Sequence, residues 1–235
     1  MSATTRMPPP DVWGVGRVVV GGEALPWPVS AADVEDETTS QSRALARLGV
    51  REGDVVVLCS LLSQAIHVFP LEQAVNALGA RYSSTDATEF DAFRTAAMIR
   101  QVEPRAVIGV NGAVVSGLRE LGRELRDVFA SVPVVVAADA DAWRALRDAG
   151  LAPFRWRMLG PTSVFECEVR DGLHVDATRW RVERGDAGAL LLTSLTPRLT
   201  ACDRFVTGVR GDVVLEPCAC GSDEPRVRAE EAVDG

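Results

Sequence analysis

Between Asp54 and Gly150 the chain repeats one rhythm: a short, unbroken run of apolar residues, a break, then a longer stretch of helical length. The runs Asp54–Cys59, Ala80–Ser83, Arg105–Val110 and Val132–Ala137 have strand length. The stretches Ser63–Leu78, Phe90–Gln101, Ala113–Phe129 and Asp141–Ala149 read as helices, several of them stopped by Gly79, Pro104 or Gly150. Strands that are apolar on both sides must be covered on both faces. Parallel sheets with right-handed helical crossovers meet that demand. Residues 40–150 are therefore expected to form a doubly wound α/β region, entered by a helix from Ser40 to Leu48.

The flanks read differently. Residues 1–39 are expected to be an N-terminal tail and a first strand. The tail over 1–12 is polar, proline-rich and expected to be mobile, the strand covers Val15–Val20 and turns at Gly21-Gly22, and the acidic stretch from Pro26 to Thr39 shows no clear period. After Leu151 short apolar runs at Ser163–Val169, Trp180–Val182, Ala189–Thr193, Asp203–Val206 and Asp212–Leu215 are separated by Gly, Asp and Pro. That pattern predicts a small β-rich region over 151–222, followed by a charged tail over 223–235.

The β-rich region carries the chain's strongest chemical pattern. Cys167 and His174 flank six residues, and Cys218-Ala219-Cys220-Gly221 forms a tight pair. Three thiolates and an imidazole suit four-coordinate zinc, and a shell filled by protein ligands is structural rather than catalytic. The spacing alone equally allows ordinary buried thiols and a surface histidine. Cys59, inside an apolar strand, reads as a core residue, and Cys202, near a turn, as a spare candidate ligand. His67 reads as a packed helix residue or a catalyst. Tyr82, the only tyrosine, is followed by Ser83-Ser84-Thr85 at what reads as the C-terminal end of a strand, the edge where parallel sheets bind ligands. The bland alternative there is a polar loop.

Composition narrows the partners. All 25 basic residues are arginine, so no side-chain amine exists for Schiff-base or nucleophilic chemistry within these 235 residues. The net charge of −8 offers no basic stripe to nucleic acid or an anionic membrane. No apolar run has the length of a membrane span, and the N-terminus has no apolar secretory core, so a cytoplasmic location is expected.

The segment ARLGVREGDVVVLCSLLSQAIHVFPLEQAVNALGARY resembles the early N-terminal part of the adenylate-forming (acyl-CoA synthetase) superfamily. The segments FECEVRDGLHVD and DAGALLLTSLTPRLTACDRFVTGVRGDVVLEPCACGSDEPRVR are similar to the phenylacetate–coenzyme A ligase branch. In several members of that branch the equivalent residues bind zinc, so the resemblance implies a structural zinc ion on Cys167, His174, Cys218 and Cys220.

The departures from the family matter as much. The glycine- and serine-rich phosphate loop ending in lysine has no counterpart, because Val110–Val132 reads as one helix and Val136 leads directly into another. Ser163, in Gly160-Pro161-Thr162-Ser163, stands where the family has its magnesium-linked glutamate. Val209, in Thr207-Gly208-Val209, replaces the ribose-gripping aspartate. The mobile C-terminal ligase domain and its catalytic lysine have no match either. These losses together imply a truncated, degenerate member that needs no ATP or magnesium.

What remains implies a protein of bacterial specialised biosynthesis that binds a small acyl, aromatic or polyketide-like acid, free or as a CoA or carrier-protein thioester. A first alternative is an ATP-independent hydrolase, transferase or cyclase, with His67, Tyr82, Ser163 and Glu166 as candidate catalytic groups; Glu166, next to Cys167, equally suits a supporting structural role. A second is an accessory subunit of a separate ligase. Family members often pair through the N-terminal domain, which implies a homodimer.

Overall fold

The computed structural model describes residues 11–230. The first ten positions of the expected tail, and the last five of the expected charged tail, lie outside the described residues.

The chain opens with an antiparallel hairpin, β1 (Gly14–Val20) and β2 (Glu23–Val29), turned at Gly21 and Gly22, both with positive φ. Helix α1 follows directly, over Ala31–Arg47. The acidic stretch read as aperiodic therefore holds the end of β2 and the first half of α1, and the helix begins nine residues before the expected Ser40. The reason lies in what α1 buries. Its inward stripe holds Asp33, Glu37 and Gln41, all buried, with Val34 as the one buried apolar residue before Ala44 and Leu45. A helix whose hidden face is polar gives no hydrophobic period to read. Its start is nonetheless marked, because Ser30 accepts from the Asp33 backbone N–H while the Asp33 carboxylate accepts from the Ser30 N–H.

The central region alternates as expected: β3 (Val55–Ser60), α2 (Ala65–Ala77), β4 (Arg81–Asp86), α3 (Ala92–Val102), β5 (Ala106–Val110), α4 (Gly112–Glu120), α5 (Leu125–Phe129), β6 (Val134–Ala137) and α6 (Ala140–Asp148). The helix expected over Ala113–Phe129 is broken into two. Gly122 takes φ +64, and its N–H and that of Arg123 bond back to Arg119 and Leu118, which closes α4 with a glycine cap.

The remaining strands are β7 (Phe154–Leu159), β8 (Thr162–Glu166), β9 (Leu173–His174), β10 (Trp180–Arg184), β11 (Ala189–Ser194), β12 (Phe205–Val214) and β13 (Arg226–Ala229). The two short runs expected around Asp203 and Asp212 form the single strand β12, bridged through Gly208 and Gly211. The segment read as a charged tail supplies β13, which pairs with both β12 and β9.

All strands but the hairpin share one mixed sheet of 11 strands, ordered β10-β11-β12-β13-β9-β8-β7-β6-β5-β3-β4. The half from β4 to β7 is parallel and the half from β7 to β10 antiparallel. Strand side chains alternate between faces. Val56, Leu58, Ile108 and Val136 meet α1 and α2, while Val57, Val107 and Val135 meet α3 to α6. At the junction Trp156 and Phe165 stack across the β7–β8 pair, with centroids 5.9 Å apart. Among the described residues no helix is long and apolar enough to cross a membrane.

Candidate metal centre

Strand β8 ends at Glu166, so Cys167 sits at its exit, 1% exposed. The chain reverses through Arg170 and Gly172, both with positive φ, and returns as β9 beside β8. A side chain on Gly172 would come within 3.1 Å of the Val227 carbonyl oxygen. This reversal brings His174 back to Cys167.

The second pair of donors arrives on the connection between β12 and β13. There the Cys218 N–H bonds to the Ser222 carbonyl and the Gly221 N–H to the Cys218 carbonyl, a tight turn that presents both thiols. Arg226 on β13 is opposite His174 in the ladder. Its buried guanidinium ties the two loops, donating to the Asp171 carboxylate at 2.6 Å and to the Glu216 carbonyl at 3.1 Å.

The four donor atoms of Cys167, His174, Cys218 and Cys220 lie within 4.8 Å of one another. Bond lengths of about 2.3 Å to sulfur and about 2.0 Å to nitrogen in a tetrahedron require roughly 3.8 Å between thiolates and roughly 3.5 Å from sulfur to nitrogen. Cys167 Sγ and Cys218 Sγ are 3.7 Å apart, and Cys220 Sγ and His174 Nε2 are 3.6 Å apart. These two edges match a tetrahedral ion such as zinc. The electrostatics agree. Burial, with the neighbouring thiols, pushes Cys167 up to about 12, and burial with Arg47 and Arg226 nearby takes His174 down to about 4. Cys218 moves the other way: burial opposes its thiolate, but hydrogen bonds from the Cys220 backbone and thiol and from Cys167, with Arg226 nearby, outweigh it. The Cys167 thiol is a poor anion alone and a good one beside a cation, which releases its proton on binding.

The other candidates fall elsewhere. Cys202 is buried near Ser194, outside the four-donor cluster, and Cys59 lies in the core against Thr85 and Thr95. His67 on α2 and Ser163 on β8 do come together, with Nδ1 and Oγ 3.3 Å apart, but both are buried. Burial lowers His67 to about 4, so it is neutral. Glu166 is spent on Arg155, accepting from its backbone N–H at 2.8 Å and its Nε at 2.6 Å across the β7–β8 pair. Tyr82 is the second residue of β4, at the opposite end from the one expected, and donates to Glu72 at 3.4 Å.

Two features carried no sequence signal. One is a buried cluster in which Glu37 accepts from Arg198 (2.9 Å), Thr162 (2.7 Å) and the Trp180 indole (3.1 Å). The other is a groove of about 590 Å³ between α3 and the α4–α5 junction, lined by Phe93, Ile99, Leu121 and Val128 with Arg100 and Arg123 beside them.

No family model and no curated protein matches this chain. Solved structures do. The fold is similar to that of 2-hydroxyisobutyryl-CoA ligase in an open conformation with 2-HIB-AMP and CoA, with a TM-score of 0.75 and 16% identity, covering 94% of this chain and 57% of that one. It is similar to ATP-bound MatB from Rhodopseudomonas palustris, with a TM-score of 0.62 and 11% identity, over 94% and 48% of the two chains. An E. coli MenE variant with bound OSB-AMS gives 0.57 and 12%, over 98% and 51%. The chain thus has the fold of adenylate-forming acyl-CoA ligases and spans about half their length.

Proposed function

We propose that this chain binds a small acyl or aromatic acid, free or as a thioester, on a zinc-clamped ligase-type fold, and forms no adenylate. The groove between α3 and the α4–α5 junction carries the reading. Its volume of about 590 Å³ falls in the usual range for small-molecule sites. Phe93, Ile99, Leu121 and Val128 suit an apolar acyl or aromatic body. Arg100 and Arg123, which have no ion pair among the described residues, suit a carboxylate or the phosphates of a thioester carrier. Glu124 and Asp127 share the rim and would disfavour ligands with several unpaired anionic groups.

Residues inside the chain support a loss of adenylation. Val209, at the ribose-binding position of the resemblance, packs its side chain toward the core. Ser163, at the position of the magnesium-linked glutamate, is buried against His67. None of these 235 residues is a lysine that could neutralise a developing phosphorane charge. An ATP-independent enzyme using His67 and Ser163 is less well supported, because a substrate would have to displace the core to reach them.

The accessory-subunit reading keeps one specific support. Leu62 and Phe90, which follow β3 and β4 at the C-terminal edge of the parallel strands, are 95% and 90% exposed. Isothermal titration with an aryl acid, its CoA thioester and ATP tests the primary reading. Acid or thioester binding that falls at least tenfold in an Arg100→Ala, Arg123→Ala double variant supports it. ATP-magnesium binding without acyl binding overturns it, and co-purification of a ligase chain lost in Phe90→Ser would favour the subunit reading.

A further inference from the structure

We infer that Glu224 is the carboxylate that orients His174 on the metal and that, through Arg47, it fastens helix α1 to the loaded centre. The inference rests on the reading that the four donors hold zinc. His174 offers Nε2 toward Cys220. Its other ring nitrogen, Nδ1, is buried and has no hydrogen-bond partner. Glu224 Oε2 lies 3.6 Å from it. A histidine that binds a metal through one nitrogen carries its proton on the other, and that N–H is almost always given to a carboxylate, a carbonyl or water. Here the carboxylate that faces it is that of Glu224. The gap exceeds a hydrogen bond by about half an ångström. The donors themselves, within 4.8 Å of one another, must draw together by up to about 1 Å to close a tetrahedron. One contraction would satisfy both.

Glu224 is not a free surface carboxylate. The same Oε2 accepts from Arg47 Nη1 at 2.6 Å, and Arg47 is the last residue of α1. One turn earlier, Arg43 pairs with Asp176, two residues beyond His174. Two guanidiniums on one side of α1 thus reach the strand that carries the histidine ligand. One of them reaches it through the carboxylate that faces the ligand's ring. The relay runs from the helix through Arg47, Glu224 and His174 to the metal. Glu224 is a positioning residue, four places after Cys220 in the same turn.

The test is a chelator-competition titration with zinc on the 235-residue chain, comparing wild type, Glu224→Gln and the charge control Asp223→Asn. The expected result is a 10- to 100-fold loss of zinc affinity in Glu224→Gln and little change in Asp223→Asn. A long-range proton–nitrogen spectrum of the zinc form should show a downfield His174 Nδ1–H in wild type that moves upfield in Glu224→Gln. Wild type that binds one zinc while Glu224→Gln binds it equally, with the Nδ1–H unmoved, overturns the assignment and leaves the metal reading standing. Wild type that binds no zinc removes the metal reading and the assignment with it. If Glu224→Gln fails to fold, Arg47→Gln tests the same relay. Hydrogen exchange in the last turn of α1 should slow on zinc loading in wild type and not in that variant, and equal slowing in both would refute the relay.

Discussion

Cys167 Sγ and Cys218 Sγ lie 3.7 Å apart although 51 positions separate them in the chain. One leaves β8 and the other enters the turn before β13, so whatever joins them also joins the two strands that flank β9. A metal there would act as a cross-link between the segments that hold the antiparallel half of the sheet together.

Removing one thiol should therefore cost stability that depends on metal. Cys167→Ser is expected to lower Tm by about 10 °C in zinc-replete buffer, which corresponds to a few kcal/mol for a domain of this size. Under EDTA the gap to wild type should shrink to a few degrees, since both chains then lack the ion. Scanning calorimetry in the two buffers checks this. Equal gaps would mean that Cys167 contributes only as a packed side chain.

His67 gives a pH signature. Burial lowers it from 6.5 to about 4 in the folded state. Between those values the unfolded chain binds a proton that the folded chain does not, so stability rises with pH. The contribution is full above about pH 6.5 and is lost progressively down to about pH 4, by roughly 3 kcal/mol in all. Urea melts of zinc-loaded wild type and His67→Gln at pH 7 and pH 5 isolate it. The variant should show a flatter dependence, by about 2 kcal/mol across that interval. Parallel curves would place the proton uptake on another group.

The parallel half of the fold was legible because its strands are buried on both faces, and Val55–Cys59 and Val134–Ala137 have no choice but to be apolar runs. The elements that escaped are those whose partners are polar. Helix α1 hides Asp33, Glu37 and Gln41, β7 alternates Arg155 and Arg157 with Trp156, and β13 reads Arg-Val-Arg. Each looks like solvated surface until the partner is known: Arg198 for Glu37, Glu166 for Arg155, Asp171 for Arg226. The four metal donors were readable as a Cys-x6-His and a Cys-x-Cys pair, and the resemblance added to that reading, but the two pairs have no reason to meet until β13 is seen to pair with β9. Glu224 and the α3 groove had no residue pattern at all; they exist only as tertiary neighbours.

The Glu37 cluster is expected to be the most sensitive point of the hidden interface. Glu37 and the Arg198 side chain are both about 95% buried, and Asp33 Oδ1 is a distant second partner at 4.0 Å. Burial raises the Glu37 carboxyl, opposed by Arg198, Thr162 and Trp180. Glu37→Ala strands the guanidinium and should cost about 3–5 kcal/mol. Adding Arg198→Met should recover much of that loss, because it removes the stranded charge, though the space left by Glu37 stays unfilled. Urea midpoints of the single and double variants decide it. A double variant as unstable as Glu37→Ala would show that packing, not charge, is at stake.

Gly117 sets how closely α4 approaches the turn before α3, and with it the shape of the groove. A Cβ there would lie 2.3 Å from the Glu89 carbonyl oxygen and 2.7 Å from the Ala92 Cβ. Two effects oppose each other in Gly117→Ala. Alanine favours a helix over glycine by about 1 kcal/mol. Forcing a methyl into filled space costs about 1–3 kcal/mol, and here the obstacle is backbone, which cannot swing aside as a side chain would. The clash should win, leaving a net loss of about 1–2 kcal/mol in urea melts. Gly53→Ala, in the turn before β3 and outside the groove lining, is the control. Its Cβ would meet nothing within 4 Å, so only the left-handed backbone, φ +85, costs it about 1 kcal/mol. The two variants should then part in function. Gly117→Ala pushes α4 from the Phe93 side of the groove and should weaken acyl binding severalfold, whereas Gly53→Ala leaves the groove walls in place and should not. Equal affinities in both variants would move the acyl site away from α3.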